Sequence, residues 1–148
     1  MNNNLLTLKE NNNFTGNFIA STLGVSNSAY SQWENDKIPI PTKRLIDLSN
    51  FYNINIDYIL RLTNIKIWAK YDTSINLEQI GKNLIIVRQY LGLSLRELGA
   101  KLNYSFSALS SYERGEHLIQ SDILRGLCQM SNYSVDWILG RSAYMYLT

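Results

Sequence analysis

Apolar residues recur at helical spacing along most of this chain. Ile80, Leu84 and Val87 follow one another at intervals of four and three residues, which places them on one face of an amphipathic helix. Leu5 and Leu8 repeat this pattern in a shorter stretch near the N-terminus. The pattern predicts helices in both halves of the chain. The first helix of the second half is expected to be longer at its N-terminal end than the first helix of the first half.

Residues that cap helix N-termini stand in front of these apolar segments. Ser94 and Glu97 form a capping box, in which each side chain satisfies a backbone N–H of the first turn. Asp57 and Asp136 follow later caps and fall in a first turn, where negative charge is favoured. The remaining predicted caps are Thr15, Ser26, Ser105, Thr42, Ser121, Asn55 and Ser134. They delimit five short helices in each half and disfavour a sheet-based core.

The two halves of the chain are copies of each other. An offset of 79 residues places Glu34 on Glu113, and residues 8–63 then align with residues 87–142 without a gap. Thirteen of the 56 aligned positions are identical, and many others are conservative. A solenoid needs more than two stacked repeats. The repeat therefore predicts two copies of one compact domain.

Composition and charge narrow the functional classes. The chain has 148 residues, of which 45% are apolar, enough for two minimal packed domains. Its net charge of +2 is compatible with nucleic-acid binding without arguing for it. Residues 1–71 carry seven basic and five acidic side chains, whereas residues 72–148 carry seven of each. If one half holds phosphates more tightly, we expect it to be the first.

The sequence also predicts a cellular compartment. Cys128 is the single cysteine, so no internal disulfide can form and a reducing cytoplasm is expected. The first residues lack the basic start and apolar run of a secretory signal. No apolar run approaches the ~20 residues that span a bilayer. We expect a cytoplasmic, nucleoid-associated protein without a membrane partner.

The segment from Gly16 to Asn35 resembles the helix-turn-helix of the Cro and phage-repressor (lambda-repressor-like) family. Ala20 stands where the two helices cross most closely, and Gly24 stands in a turn that needs a left-handed conformation. Gly99 and Asn103 stand at these positions in the second copy. The apolar positions also match one for one: Ile19, Leu23, Val25, Tyr30 and Trp33 with Leu98, Leu102, Tyr104, Leu109 and Tyr112.

The resemblance extends beyond the motif and implies the fold. Residues 34–39 are similar to the family's loop after the second motif helix, and residues 53–60 to its final helix. We therefore expect an all-α protein with two tandem five-helix helix-turn-helix domains. The predicted divisions are residues 1–64 for the first domain, 65–74 for a linker or strand, 75–142 for the second domain and 143–148 for a C-terminal strand. Residues 65–71 and 143–148 are rich in strand-favouring residues and are expected to pair as an antiparallel ribbon between the copies.

The resemblance also implies a mode of DNA binding. In this family the second motif helix enters the major groove, and the first crosses the DNA backbone. In the first copy this assigns base contacts to Asn27, Ser28, Ser31 and Gln32. Asn and Gln side chains can form two hydrogen bonds with N6 and N7 of adenine. The same scheme assigns phosphate contacts to Thr15, Asn17, Lys37, Lys43 and Arg44.

The second copy departs from this scheme. Its base-contact positions carry Ser107, Ser110 and Ser111, and its phosphate contacts would be Arg96 and Arg114. Phe106 is expected to contact a thymine methyl group or a protein. A glutamine common in the family at the first motif position is absent, because Gly16 and Leu95 stand there. Base contacts are therefore better supported in the first copy than in the second.

These features predict a regulator of transcription. The expected function is sequence-specific binding of double-stranded DNA, as a repressor from a phage or other mobile element, by a pseudo-dimeric monomer or a homodimer. The alternative is a protein-binding module on the same scaffold, such as an antitoxin, an anti-repressor or an inhibitor. One histidine, His117, one cysteine and the lack of a phosphate loop or metal-ligand spacing argue against an enzyme, a cofactor or a metal site.

Overall fold

The protein consists of two compact helical units. The computed structural model describes residues 2–70 and 74–147. The units cover residues 1–71 and 72–148, and each contains five α-helices among its described residues. The described residues contain two isolated β-bridges and no sheet. The prediction of an all-α fold with two five-helix domains is confirmed.

The ten helices of the described residues follow the order that the repeat predicts. In the first unit they are α1 (Leu5–Asn11), α2 (Gly16–Leu23), α3 (Asn27–Glu34), α4 (Thr42–Tyr52) and α5 (Ile56–Ile59). In the second they are α6 (Leu77–Leu91), α7 (Leu95–Leu102), α8 (Phe106–Glu113), α9 (Ser121–Ser131) and α10 (Val135–Ile138). The first helix is longer in the second unit, as expected, with 15 residues against 7. Among the described residues, no helix could span a lipid bilayer.

Most of the predicted N-cap residues accept a hydrogen bond from a backbone N–H in the first turn of their helix. The Ser94 hydroxyl accepts a hydrogen bond from the Glu97 N–H at 3.1 Å, and the Glu97 carboxylate accepts one from the Ser94 N–H at 3.0 Å. This confirms the capping box. Two predicted caps are wrong by one residue, because Thr42 and Ser121 are the first residues of their helices. Pro41 and Gln120 precede them as N-cap residues, and neither makes a side-chain cap hydrogen bond.

The close crossing of the two motif helices explains their small residues. Ala20 and Gly99 are both buried at this crossing. A Cβ atom on Gly99 would lie 2.6 Å from the carbonyl oxygen of Tyr104, so the second copy has no room for a side chain there. Gly24 and Asn103 end α2 and α7 with φ of 72° and 57°. Both are in the left-handed region that the turn was predicted to need.

The two strand-like segments pair within their own units. The Ala69 N–H donates to the Asn53 carbonyl at 3.0 Å, and the Leu147 N–H donates to the Asn132 carbonyl at 2.8 Å. The bridges that result join Ile54 to Trp68 and Tyr133 to Tyr146. The expectation that residues 65–71 and 143–148 pair with each other is thereby corrected for their described parts.

Asn55 explains part of this local pairing. Its side-chain oxygen accepts from the Ile67 N–H at 2.9 Å, and its amide nitrogen donates to the Ile65 carbonyl at 3.2 Å. Asn55 therefore holds the returning chain and makes no side-chain cap for α5, contrary to the prediction. Closing this short loop costs less chain entropy than pairing with a distant segment. Residues 71 and 148, the ends of the predicted strands, lie outside the described residues, as do residues 72–73 of the predicted linker.

Tyr52 is a buried titratable group whose ionisation is expected to lower the stability of the first unit at alkaline pH. Its hydroxyl is buried without a hydrogen-bond partner among the described residues. Burial, reinforced by the charge of Glu34, raises the pKa of Tyr52 from 10.0 to about 12. The repeat places Ser131 at the equivalent position, and its hydroxyl donates to the Leu127 carbonyl at 2.8 Å. The two copies therefore differ in a titratable core group.

Tyr52→Phe is expected to reduce the loss of stability at high pH. Because the folded state raises the pKa of Tyr52, its neutral form contributes fully below about pH 10, and this contribution is lost as the pH rises toward about 12. Removing a buried hydroxyl without a partner should leave the free energy of unfolding unchanged or higher at neutral pH. Urea unfolding at about pH 8 and about pH 11 measures both effects. Tyr144→Phe is the control, since Tyr144 is 72% exposed, and equal pH dependence in wild type and Tyr52→Phe would contradict the prediction.

Candidate nucleic-acid interface

Helix α3 presents one polar face and buries the other. The Ser26 hydroxyl caps the helix by accepting from the Ala29 N–H at 3.0 Å. Tyr30 and Trp33 face the core, where they are 2% and 3% exposed. The four predicted base-contact residues are all exposed: Asn27, Ser28, Ser31 and Gln32. The structure therefore brings together on one surface the residues that the sequence singled out.

Asn35 adds to this face and was not predicted. Its side-chain amide donates to the Ser31 hydroxyl at 3.2 Å and to the Ser31 carbonyl at 2.9 Å. The hydroxyl of Ser31 is thereby held at the C-terminal end of α3. The only sequence signal for this contact is the spacing of four residues, which brings two side chains together on a helix.

The corresponding face of α8 is less open. Ser105 caps the helix, accepting from the Ala108 N–H at 3.2 Å, and Ser107 is exposed. Ser110 and Ser111 are half-buried. The Ser111 hydroxyl donates to the Ala108 carbonyl at 2.7 Å, so it points toward its own helix. Of the three serines assigned to base contacts in the second copy, Ser107 is the most accessible.

The predicted phosphate contacts of the first unit fall into two groups. Thr15 caps α2, accepting from the Phe18 N–H at 3.1 Å, and Asn17 is exposed in the same first turn. Lys37 and Lys43 are exposed, and neither lies within ion-pair distance of a carboxylate in residues 2–70. These four side chains are available to an anionic partner.

Arg44 is engaged within the first unit. It donates to the Leu23 carbonyl at 3.2 Å and pairs with Asp47 at 3.1 Å. Its guanidinium therefore joins α4 to the C-terminal end of α2, which is a structural contact that the sequence did not reveal.

Arg114 is engaged in the second unit. Its guanidinium forms two hydrogen bonds with the Glu116 carboxylate, at 3.0 and 2.9 Å, and a third with the Ser110 hydroxyl. The hydrogen bonds and charge of this pair raise the pKa of Arg114 and lower that of Glu116. A phosphate would have to compete with Glu116 for this guanidinium.

A duplicated ion pair connects each candidate recognition helix to the first helix of its unit. Lys9 on α1 contacts Glu34 at 2.8 Å, and Arg88 on α6 contacts Glu113 through two hydrogen bonds at 2.7 and 3.0 Å. Sequence reasoning missed these pairs. The signal was present, because the offset of 79 residues aligns both the basic and the acidic partners.

The described residues contain no group of three or more His, Cys, Asp or Glu side chains that could hold a metal ion. In the first unit, α3 presents amide and hydroxyl groups, and exposed cations lie on the same unit. In the second unit, α8 presents hydroxyl groups. This combination matches the base-edge and phosphate contacts of DNA-binding proteins.

Comparison with known families identifies both units. A family described as Helix-turn-helix domain matches residues 2–65, and a family described as Helix-turn-helix matches residues 84–138. The chain is a tandem helix-turn-helix protein. The resemblance noted from the sequence is thereby confirmed for both copies.

Relatives of this tandem helix-turn-helix protein include regulators. It is 37% identical over 62 residues to the HTH-type transcriptional regulator ImmR of Bacillus subtilis, a match that covers 42% of this chain and 49% of ImmR. The chain thus spans about half the length of this curated relative. Two crystal structures of the clp gene regulator ClgR from Corynebacterium glutamicum also match this chain, each with 32% sequence identity to it and a TM-score of 0.40. They match 45% of this chain, and 85% and 70% of their own chains.

Proposed function

We propose that this protein is a sequence-specific, double-stranded DNA-binding regulator of transcription that acts as a repressor. This proposal rests mainly on the two faces of α3, one buried and the other exposed. The exposed face carries Asn27, Ser28, Ser31 and Gln32. Helix-turn-helix proteins insert such a helix into the major groove. The name of ImmR, an HTH-type transcriptional regulator, supports the same function.

Asn27 and Gln32 would supply most of the sequence preference of the first domain. Each side chain carries both a donor and an acceptor, which match N6 and N7 of adenine. Thr15, Asn17, Lys37 and Lys43 would hold the flanking phosphates, which fixes the register of α3 without reading sequence. The first domain has the larger excess of positive charge, so it would contribute more of the salt-dependent affinity.

Two domains in one chain would bind two half-sites. The copies differ at the first outward position, where Asn27 corresponds to Phe106, and at Gln32, which corresponds to Ser111. One chain, acting as a pseudo-dimer, would therefore prefer an imperfect palindrome. A homodimer would contain two copies of each domain. It would instead prefer a site in which the sequence bound by each domain occurs twice.

Selection of bound sequences from random DNA tests the proposed function. We expect the wild-type chain to enrich a site with two unlike half-sites. Asn27→Ala and Gln32→Ala should each reduce discrimination at one base position by about 1–3 kcal/mol. Lys43→Ala is the matched control, since loss of a phosphate contact should weaken binding to all sequences alike and lower the salt slope by about 1.

Two results would contradict this proposal. One is the absence of DNA binding at low salt, which would favour the protein-binding alternative. The other is unchanged sequence preference in both α3 variants, which would mean that a different surface contacts the bases.

A further inference from the structure

Arg96 is stacked on the first residue of α8. The Cζ atom of Arg96 lies 4.8 Å from the centre of the Phe106 ring. Phe106 begins α8 and is 43% exposed, and Arg96 is exposed on α7. A guanidinium over an aromatic face is attracted by the ring quadrupole, which limits the orientations it adopts. The stacking therefore places a planar set of N–H donors at the N-terminal end of the recognition helix.

The guanidinium of Arg96 remains available for a ligand. No carboxylate among residues 74–147 lies within ion-pair distance of it. The neighbouring Glu97 is occupied by the capping box with Ser94. Other cations of the same unit are paired, as in the contacts of Arg88 with Glu113 and of Arg114 with Glu116. Arg96 thus combines a restricted orientation with donors that no carboxylate of residues 74–147 occupies.

The rest of the α8 face lacks a side chain suited to bidentate base contacts. Ser105 is used as the cap, and Ser111 donates to its own helix. A serine hydroxyl fits any base and discriminates little, whereas arginine pairs bidentately with O6 and N7 of guanine. The N-terminal residues of a recognition helix are the ones that face base edges. Arg96 itself lies on α7, but its stacking on Phe106 carries the guanidinium to the N-terminal end of α8, where a base edge is within its reach.

We propose that Arg96 reads a guanine in the half-site of the second domain, with Phe106 orienting its guanidinium. This inference rests on the proposed function and adds a base preference to it. The half-site of the second domain then contains a guanine, whereas that of the first is read through adenine contacts. The exposed edge of Phe106 would contact the methyl group of a thymine next to this guanine.

Base selection with Arg96→Lys tests the proposal, because lysine keeps the charge and removes the planar pair of donors. We expect the wild type to select one guanine in the second half-site. Arg96→Lys should lose roughly 5- to 150-fold of that discrimination, with the salt dependence of binding unchanged. Phe106→Leu should cause a smaller loss at the same position. Lys82→Arg is the control, because Lys82 is exposed on α6, and its guanine preference should equal that of the wild type.

A modified DNA probe separates base contact from indirect effects. Replacing the selected guanine by 7-deazaguanine removes the N7 acceptor and keeps Watson–Crick pairing. We expect this replacement to weaken binding of the wild type and to leave binding of Arg96→Lys nearly unchanged. Two results would overturn the proposal while leaving the proposed function intact: a guanine preference that Arg96→Lys retains, or a selected site with no base preference in the second half. Failure of the wild type to bind any DNA would overturn both.

Discussion

Gly81→Ala is expected to destabilise the second domain by about 3 kcal/mol. A Cβ atom on Gly81 would overlap the carbonyl oxygen of Glu113 and lie 3.0 Å from that of Tyr112. Both obstacles are backbone atoms at the end of α8, so no side chain can rotate to make room. Helix α6 would have to move away from the recognition helix. The gain in helix propensity of about 1 kcal/mol is too small to offset this. Calorimetric unfolding of the full chain measures the change.

Gly126→Ala is the matched control for this prediction. Gly126 also lies inside a helix, but a Cβ atom there would meet only the Cδ2 atom of Leu102, at 2.8 Å. The end of a leucine side chain can shift, so the gain in helix propensity should leave the domain equally stable or more stable. If both alanine variants unfold at the same temperature, the close approach of α6 and α8 is not a constraint on stability.

Glu113→Ala is expected to lower the free energy of unfolding of the second domain by about 2–3 kcal/mol. The side chains of Arg88 and Glu113 are only 19% and 10% exposed. Removing the carboxylate leaves the Arg88 guanidinium partly buried without its charged partner, and it keeps the hydrogen bond that it donates to the Leu93 carbonyl at 3.1 Å. The pair also joins α6 to the last residue of α8, so its loss should loosen the recognition helix. Urea unfolding measures the first effect, and amide hydrogen exchange in α8 measures the second.

A double-mutant cycle separates the pair from its surroundings. Arg88→Met combined with Glu113→Ala should cost less than the sum of the two single changes, because the double variant leaves no unpaired charge. Glu116→Ala is the control, since the Arg114–Glu116 pair is more than half exposed and should not measurably affect stability. A coupling energy near zero between Arg88 and Glu113 would contradict the role assigned to the pair.

The features predicted well from the sequence are those with a local cause. The capping box at Ser94 needs only residues three apart on the same helix turn, and the structure contains it. Gly24 and Asn103 mark a turn whose backbone conformation few residues tolerate, so their position predicts that turn. The exposure of Asn27 and Gln32 follows from helical periodicity, because the apolar residues of α3 fix which face is buried.

Other features depend on which of several possible partners a side chain contacts in the folded chain. The sequence predicts Asn55 as a helix cap, but the chain ten to twelve residues later returns to bind its side chain. The sequence assigns Arg44 to a phosphate contact, which stays a prediction, and in the structure its guanidinium contacts the end of α2 and Asp47. Arg114 is assigned in the same way, and in the structure it pairs with Glu116, two residues away. A sequence gives the donors and acceptors, and several partners are within reach of each long side chain.

The order of amino acids was sufficient to predict two copies of one helical domain, the starts of most of their helices, and the residues of α3 that face outward. Repetition, capping and periodicity decide these properties over a few residues, so neighbours along the chain are sufficient. Helix packing sets which cations remain available, because it pairs Arg88 with Glu113 and stacks Arg96 on Phe106. In both cases the two side chains come from different helices, so the distance between them, and with it the charge that a ligand encounters, depends on how those helices pack.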